Sequence, residues 1–482
     1  MNGAFTGLRS WLRHLAATER LAVARPGAKL EHELAAIAKR LDGRQAVLFP
    51  QPGGHAMPVV SGFMSKRAWI AEAMGVPQSE LLARFRNASE APTPWREVAA
   101  AQAACQQVVH DFRADGQLDI ARLLPIPTHS EHDSGAYITA GLVIARNPKT
   151  GVQNVSINRI QVNARDRLGI LMLPRHLRAF FQTAEGDGQP LPVAIVIGVD
   201  PLTALSSQAI TPIDFDELTI AGSLHGAPLA VTRCQTSDVR VPAEAEIVIE
   251  GRILPRVREP EGPFGEFPKY YSVREEREVI EIDRVSTRRD PIFHTIVPAE
   301  MEHLLLGAIP REATLLAHLQ RSFPGVLDVH LSIGGVARSH LYVKLEKRRE
   351  GEPKNVILGA FGGHYDVKHV VVVDDDVDVH NPQEVEWAIA TRFQADRDLV
   401  VVTEAQGSPL DPSTTVRFIH SHGGKPPVHL QGMSAKMGLD ATKPLESAEH
   451  VFTRVRIPGE REVDLATALQ PDAVDLERIL AG

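Results

Sequence analysis

Only two cysteines, Cys105 and Cys234, occur in the 482 residues, and they lie far apart. That excludes a thiolate metal cluster and a disulfide framework, fits a reducing cytosol, and leaves both thiols as small buried side chains. An excess of basic charge is also missing: 52 Lys and Arg face 60 Asp and Glu, for a formal charge of −8. Binding to nucleic acid needs a concentrated basic surface, so no such partner is expected. Long apolar runs are absent as well. Stretches such as Val193-Ala-Ile-Val-Ile-Gly198 have the length of a buried strand, far short of the roughly 20 residues a membrane helix needs. The first residues lack a secretory apolar core; Leu8, Trp11, Leu12 and Leu15 instead recur at helical spacing and predict an amphipathic helix. Gly334-Gly335 and Gly362-Gly363 do not extend to GxGxxG, which removes a dinucleotide site. No internal repeat or low-complexity tract is present. The expectation is a soluble, cytoplasmic chain.

What is present is enough chain for two or three domains, since 482 residues exceed one ordinary hydrophobic core. Residues 1–110 alternate helical and strand patterns: a helix over Lys29–Leu41, a strand over Gln45–Phe49 and a helix over Ser65–Met74 predict a small α/β domain. Residues 111–300 turn β-rich, with strands predicted at Ala136–Ala145, Val155–Val162, Gly169–Leu173, Pro192–Val199, Ala245–Ile253 and Val279–Val285. A barrel-like sheet with inserted helices is the natural architecture. Residues 301–482 return to α/β alternation, with helices at Arg311–Arg321 and Pro382–Phe393 and strands at Val326–Ile333, Val370–Val373 and Leu399–Val402. The β-branched run Val370–Val373 reads as a strand buried on both faces.

The chemistry concentrates in Glu261-Gly-Pro-Phe-Gly-Glu266, where a Pro/Gly turn separates two carboxylates by five residues. Pro263 fixes its own φ, while Gly262 and Gly265 admit conformations closed to other residues, so the acids can be held at one site in different environments. Such a pair can divide acid and base labour. Two further segments accompany the turn: Gln153-Asn-Val-Ser-Ile-Asn-Arg159 and Leu171-Met-Leu-Pro-Arg-His176.

Together the three segments resemble the UbiD family of decarboxylases, which use prenylated FMN with a divalent metal. The likeness continues through Leu124-Pro-Ile-Pro-Thr-His129, Gly135-Ala-Tyr-Ile-Thr139, Val241 to Gly251, Val371 to Asp378 and Lys436-Met-Gly-Leu-Asp-Ala-Thr442, and so spans nearly the whole chain. It implies a mixed fold: an N-terminal α/β domain, a central split β-barrel like that of flavin reductases, and a C-terminal α/β oligomerisation domain. It implies that Asn154, His176 and Glu217 ligate Mn²⁺ or Mg²⁺, with K⁺ beside it near Ser206, Ser207 and Glu217. An amide oxygen, an imidazole and a carboxylate form a mostly hard ligand set that suits such a metal, and the metal would anchor the cofactor's phosphate. Ser156, Ile157, Asn158, Arg159 and Arg175 fall with these three among the implied cofactor contacts.

The resemblance further implies a catalytic triad of Arg159, Glu261 and Glu266. A guanidinium beside Glu261 keeps that carboxylate ionised and can orient a substrate carboxylate, leaving proton transfer to Glu266. Pocket positions fall by analogy on Arg175, Phe267, His294, His303, Leu306 and Tyr365, a mixture that favours a polar aromatic or heteroaromatic acid. The family expectation is therefore reversible, non-oxidative decarboxylation of an aromatic, heteroaromatic or α,β-unsaturated acid, with CO₂ as co-product. An FMN prenyltransferase would supply the cofactor, and the assembly would be a homodimer or larger. A cofactor-binding subunit without turnover and a flavin oxidoreductase are the competing readings; the intact triad opposes the first and the missing nicotinamide site the second.

Some details depart from the pattern or stay outside it. Relatives can carry a lysine near the cofactor phosphate where this chain reads Gly362-Gly-His-Tyr-Asp-Val-Lys368, which leaves Lys368 or His364 to compensate. His129, His132 and Asp133 form an H-x-x-H-D cluster that is expected to organise the entrance of the cofactor domain rather than bind metal. The acids of Asp374-Asp-Asp-Val-Asp378 are expected to accept backbone N–H groups at the start of the next helix.

Overall fold

The computed structural model describes residues 5–414, 418–419, 428–429, 432–446, 450–460, 462–469 and 476–481. The N-terminal helix Leu8–Ala17 buries Leu8, Trp11, Leu12 and Leu15, the four residues whose spacing predicted it. Behind it a small sheet runs in the order Leu21–Val23, Ala46–Phe49, Val59–Ser61 and Phe293–His294. Its last strand arrives from far along the chain and pairs in parallel with Val59–Ser61.

The largest sheet has nine strands. Its backbone is the antiparallel pair Ile247–Glu261 and Glu275–Thr287, whose register shifts twice. From that pair the sheet extends through Leu191–Ile197 and Leu142–Arg146 to Gln153–Ile157 on one side, and through Arg167–Ile170 and Ile160–Ala164 to Tyr137–Ile138 on the other. The path of strands does not close into a barrel among the described residues. Gln153–Ile157 ends the path, and its residues 154–157 border a cavity instead of pairing with a further strand.

Two strands predicted as continuous are broken. Ala136–Ala145 divides into Tyr137–Ile138 and Leu142–Arg146, and Val155–Val162 divides into Gln153–Ile157 and Ile160–Ala164. The second break falls at Asn158 and Arg159. Asn158 bonds Ser156 Oγ at 2.9 Å and the Leu171 carbonyl at 3.0 Å, so its side chain replaces the interrupted ladder.

The C-terminal sheet orders Val326–Leu331, His340–Leu345, His369–Asp374, Met433–Ala441 and Leu399–Gln406. Val370 to Val373 are buried. Val370 and Val372 pack with Val356, Ile357 and Ala360 of the helix Glu352–Gly363, whereas Val371 and Val373 pack with Val385 and Ala388 of the helix Pro382–Arg392. Covering both faces in this way is why the strand carries no polar alternation.

A 22-residue helix, Met301–Ser322, joins these layers. Its predicted start at Arg311 is wrong by ten residues, because the helix runs through Pro310. Proline removes one intrahelical bond. Leu304 to Ala313 are nevertheless all buried, and this packing holds the turn that local propensity would release. The acidic loop is also corrected: Asp374 and Asp376 both bind Arg392, and the helix Pro382–Arg392 is capped by Asn381. Asp378 accepts the His380 N–H ahead of that helix, and Asp374 accepts the N–H of Lys443, far from it in sequence. A buried arginine outcompetes solvated amide donors for two carboxylates.

Candidate active site

The turn between Glu261 and Glu266 is pinned by side chains of neighbouring segments. Gln161 Oε1 accepts the Gly262 N–H at 2.9 Å, and Asp133 Oδ1 accepts that of Gly265 at 2.8 Å. Asp133 also accepts the Ser130 N–H at 2.9 Å, so the aspartate of the H-x-x-H-D segment ties that segment to the turn. Its His129 is buried against Thr295 Oγ1 at 2.7 Å, and burial depresses its pKa to about 3. Replacing Asp133 with Ala should loosen the turn and cost about 1–3 kcal/mol of stability, read as a lower denaturant midpoint.

Arg159 lies between the two acids. Its Nε and Nη2 grip Glu261 at 3.0 and 2.8 Å, and its Nη1 reaches Glu266 at 2.5 Å. Burial opposes the charge on Arg159, but Glu266 and Glu261 hold its pKa above the ordinary arginine value. Glu261 is 0% exposed and stands behind the guanidinium, with the Tyr137 hydroxyl 3.3 Å from its Oε1. Glu266 is 9% exposed and borders the cavity. One guanidinium thus serves two carboxylates.

A second group sits where the strand Gln153–Ile157 meets the helix His176–Gly186. Asn154 Oδ1 is 3.0 Å from His176 Nδ1, and Asn154 Nδ2 is buried without a partner. Glu217 accepts the Val155 N–H at 2.7 Å and the Thr211 hydroxyl at 2.9 Å, but pairs with no cation among the described residues. Burial raises its pKa to about 8. Burial, then the charge of Arg175, lowers that of His176. Among the described residues no three His, Cys, Asp or Glu side chains cluster as a metal site. The set here is mixed: a neutral imidazole, an amide and a buried carboxyl without counter-charge, which fits a cation of the Mn²⁺ or Mg²⁺ class.

Both groups border one cavity of about 1010 Å³. Asn154, Ser156, Ile157, Asn158, Arg159, Arg175, His176, Ser207, Glu217, Glu266, Phe267, His303, Leu306 and Tyr365 line it. Three predicted residues do not: Ser206, Glu261 and His294. Ser206 ends the helix Pro201–Ser206 and turns its hydroxyl back to the Thr203 carbonyl at 2.9 Å. His294 follows its strand into the N-terminal sheet, where its ring packs on Phe63 with centroids 4.4 Å apart. Lys368 is held by Asp411 at 2.8 Å and is not a lining residue, whereas His364 and Lys436 are. Arg311, Arg338 and Asp366 also line the cavity. No motif marks them, because they come from the proline-containing helix and two loops that only the fold brings together.

A cavity with an Arg–Glu–Glu cluster at one wall and an Asn–His–Glu group at another, beside the end of a large sheet, has the form of an enzyme pocket. The sequence comparisons give the family. The chain matches the 3-octaprenyl-4-hydroxybenzoate carboxy-lyase family in its N-terminal domain over residues 12–89, its Rift-related domain over 96–301 and its C-terminal domain over 304–441. It is 41% identical over 399 residues to anhydromevalonate phosphate decarboxylase of Methanothermobacter thermautotrophicus, covering 83% of this chain and 88% of that protein. It is 30% identical over 405 residues to gallate decarboxylase of Lactiplantibacillus plantarum, covering 80% and 81%. Among solved structures, the UbiD-class enzyme HmfF of Pelotomaculum thermopropionicum in complex with FMN superposes with a TM-score of 0.91 at 46% identity, covering 96% of this chain and 100% of that one. An evolved dimeric form of HmfF in complex with prenylated FMN gives 0.87 at 44%, with the same coverage. The chain belongs to the UbiD family of carboxy-lyases.

Proposed function

We propose that this chain decarboxylates an aromatic, heteroaromatic or α,β-unsaturated carboxylic acid, reversibly and without net oxidation, using prenylated FMN. The observation that carries this reading is Arg159 shared between buried Glu261 and cavity-facing Glu266. Losing CO₂ directly from an sp² carbon leaves an unstabilised carbanion, and bound prenylated FMN supplies the covalent centre that accepts those electrons. Asn154, His176 and Glu217 would hold Mn²⁺ or Mg²⁺ against the cofactor phosphate, with K⁺ near Glu217 and the carbonyls of Ser206 and Ser207. The segment Ser156–Arg159, with Arg175, would border the flavin.

The protein's own part is positional and protonic. Glu261 fixes the guanidinium by a bidentate contact at Nε and Nη2, which leaves Nη1, beside Glu266, to orient the substrate carboxylate. Glu266 delivers a proton to the carbon that CO₂ leaves, and removes it in the reverse direction. Phe264 and Phe267 flank the acid and limit water there.

The test is CO₂ release from a panel of aromatic, heteroaromatic and acrylic acids, after co-expression with an FMN prenyltransferase. Loaded protein should turn over at least one acid, and protein holding only FMN should not. NAD(P)H oxidation without CO₂ release would instead make it a flavin oxidoreductase. His176→Ala should weaken cofactor retention, read by mass spectrometry of the purified protein. Full occupancy of that variant after chelation would overturn the ligand assignment.

The relevant assembly is at least a homodimer. Val401 on the outer strand of the C-terminal sheet is 56% exposed, and Val455 is 97% exposed beside an exposed Ile457. Val401 lies on the edge strand of its sheet, where an exposed apolar side chain favours pairing with another chain. Light scattering at micromolar concentration should give twice the chain mass or more; a monomer would remove this point alone.

A further inference from the structure

Beyond the Arg–Glu–Glu cluster, the cavity carries an unbalanced group of cations. Arg311 and Arg338 converge on Gly307 of the helix Met301–Ser322. Arg311 Nη1 donates to the Gly307 carbonyl at 2.9 Å, and the Arg338 guanidinium occupies the space that a Cβ at position 307 would fill. Arg338 lies over the Phe267 ring, its Cζ 4.6 Å from the centroid, and its guanidinium makes no hydrogen bond or ion pair among the described residues. Phe267 directly follows Glu266, which ties this pair to the acid end of the cavity. The carboxylate paired with them is Asp366, 3.4 Å from Arg311 Nη2; Glu266, which also attracts Arg338, is itself bound to Arg159. Lys436 adds a further positive charge from the sheet side, 3.2 Å from the Tyr365 carbonyl.

The neighbouring histidines do not add to this charge. His303 accepts the Ala299 N–H at 3.1 Å, and His364 accepts that of Asp366 at 3.2 Å. Both are held neutral near pH 7, by burial first and then by the arginines, with pKa values of about 3. Burial, then Arg338, lowers the pKa of Arg311 to about 9. Two guanidinium groups so close, with one carboxylate between them, are stabilised by a second anion.

We propose that Arg311 and Arg338 form a second oxyanion subsite, so that the substrate is a dianion bearing a carboxylate or phosphate besides the carboxylate that leaves. This deepens the decarboxylase reading above and rests on it for the word substrate. Gly307 is the device that admits the subsite, because any side chain there meets the Arg338 guanidinium.

The test is calorimetric binding of benzoate, benzene-1,4-dicarboxylate and 4-phosphonobenzoate to the flavin-loaded protein. At least one dianion should bind tighter than benzoate by roughly tenfold or more, and the better of the two identifies the second group as carboxylate or phosphate. Arg338→Gln should erase that ratio, and Arg338→Lys should restore part of it. Gly307→Ala, a change that favours the helix, should erase it too by displacing the guanidinium without removing its charge. An unchanged ratio in Arg338→Gln and Gly307→Ala overturns the proposal, as does loss of bound flavin from Arg338→Gln, which would assign the guanidinium to the cofactor. Arginine-dependent binding of a dianion in a protein that releases no CO₂ would sink the decarboxylase reading while upholding the subsite.

Discussion

Replacing Glu266 with Gln should lower turnover by roughly a hundredfold or more while leaving bound flavin in place. The amide keeps the shape of the carboxylate but cannot cycle a proton. The flavin and cation contacts proposed here come from Asn154, His176, Glu217 and the segment Ser156–Arg159, and Glu266 itself touches Arg159 at 2.5 Å. Retention of the cofactor therefore separates this variant from one that merely unfolds the cavity. The check is steady-state CO₂ release at matched cofactor occupancy. Parent-level turnover would return both glutamates to the status of turn residues.

Arg159→Met should damage both fold and function. Its side chain is 7% exposed and stands over a Glu261 that is 0% exposed, so removal leaves a carboxylate in the interior without a counter-charge. Breaking such a pair costs about 3–5 kcal/mol, visible as a lower denaturant midpoint of the flavin-free protein. The double variant Arg159→Met with Glu261→Gln removes the more deeply buried of the two stranded charges, leaving Glu266 at the cavity edge. It should recover most of the stability and none of the turnover, which distinguishes the structural cost from the role in orienting substrate. Full activity in the stable double variant would show that Arg159 serves the fold alone.

The sequence revealed the parts of this site that are local in the chain. Glu261 and Glu266 share one turn, Asn154 and Arg159 one interrupted strand, and His176 opens the next helix. Spacing carries such groupings, and family likeness supplied their meaning. The opposite wall was hidden for physical reasons. Read from sequence alone this helix begins at Arg311, yet burial of Leu304 to Ala313 carries it through Pro310 and brings Gly307 and Arg311 to the cavity together. Arg338 reaches the same place from a loop, through a gap that exists because residue 307 has no side chain. His294 was misjudged for a similar reason: its short strand pairs with Val59–Ser61 and carries the ring away from the cavity. Fold class was easier to read, since β-branched runs such as Val370–Val373 and the helical spacing of Leu8, Trp11, Leu12 and Leu15 translate directly into burial. That Asp133 would clamp Gly265 across 132 positions of sequence could not be read from either segment alone.

The most direct test of the central claim, that Glu266 transfers the proton to the carbon vacated by CO₂, is deuterium exchange into the product in D₂O. Prenylated-FMN-loaded parent protein and Glu266→Gln would be compared by mass spectrometry and NMR. The account predicts that the parent places deuterium at that one carbon, and that exchange collapses in the variant by the same factor as turnover. Exchange at the parent rate in a fully loaded Glu266→Gln protein would contradict it.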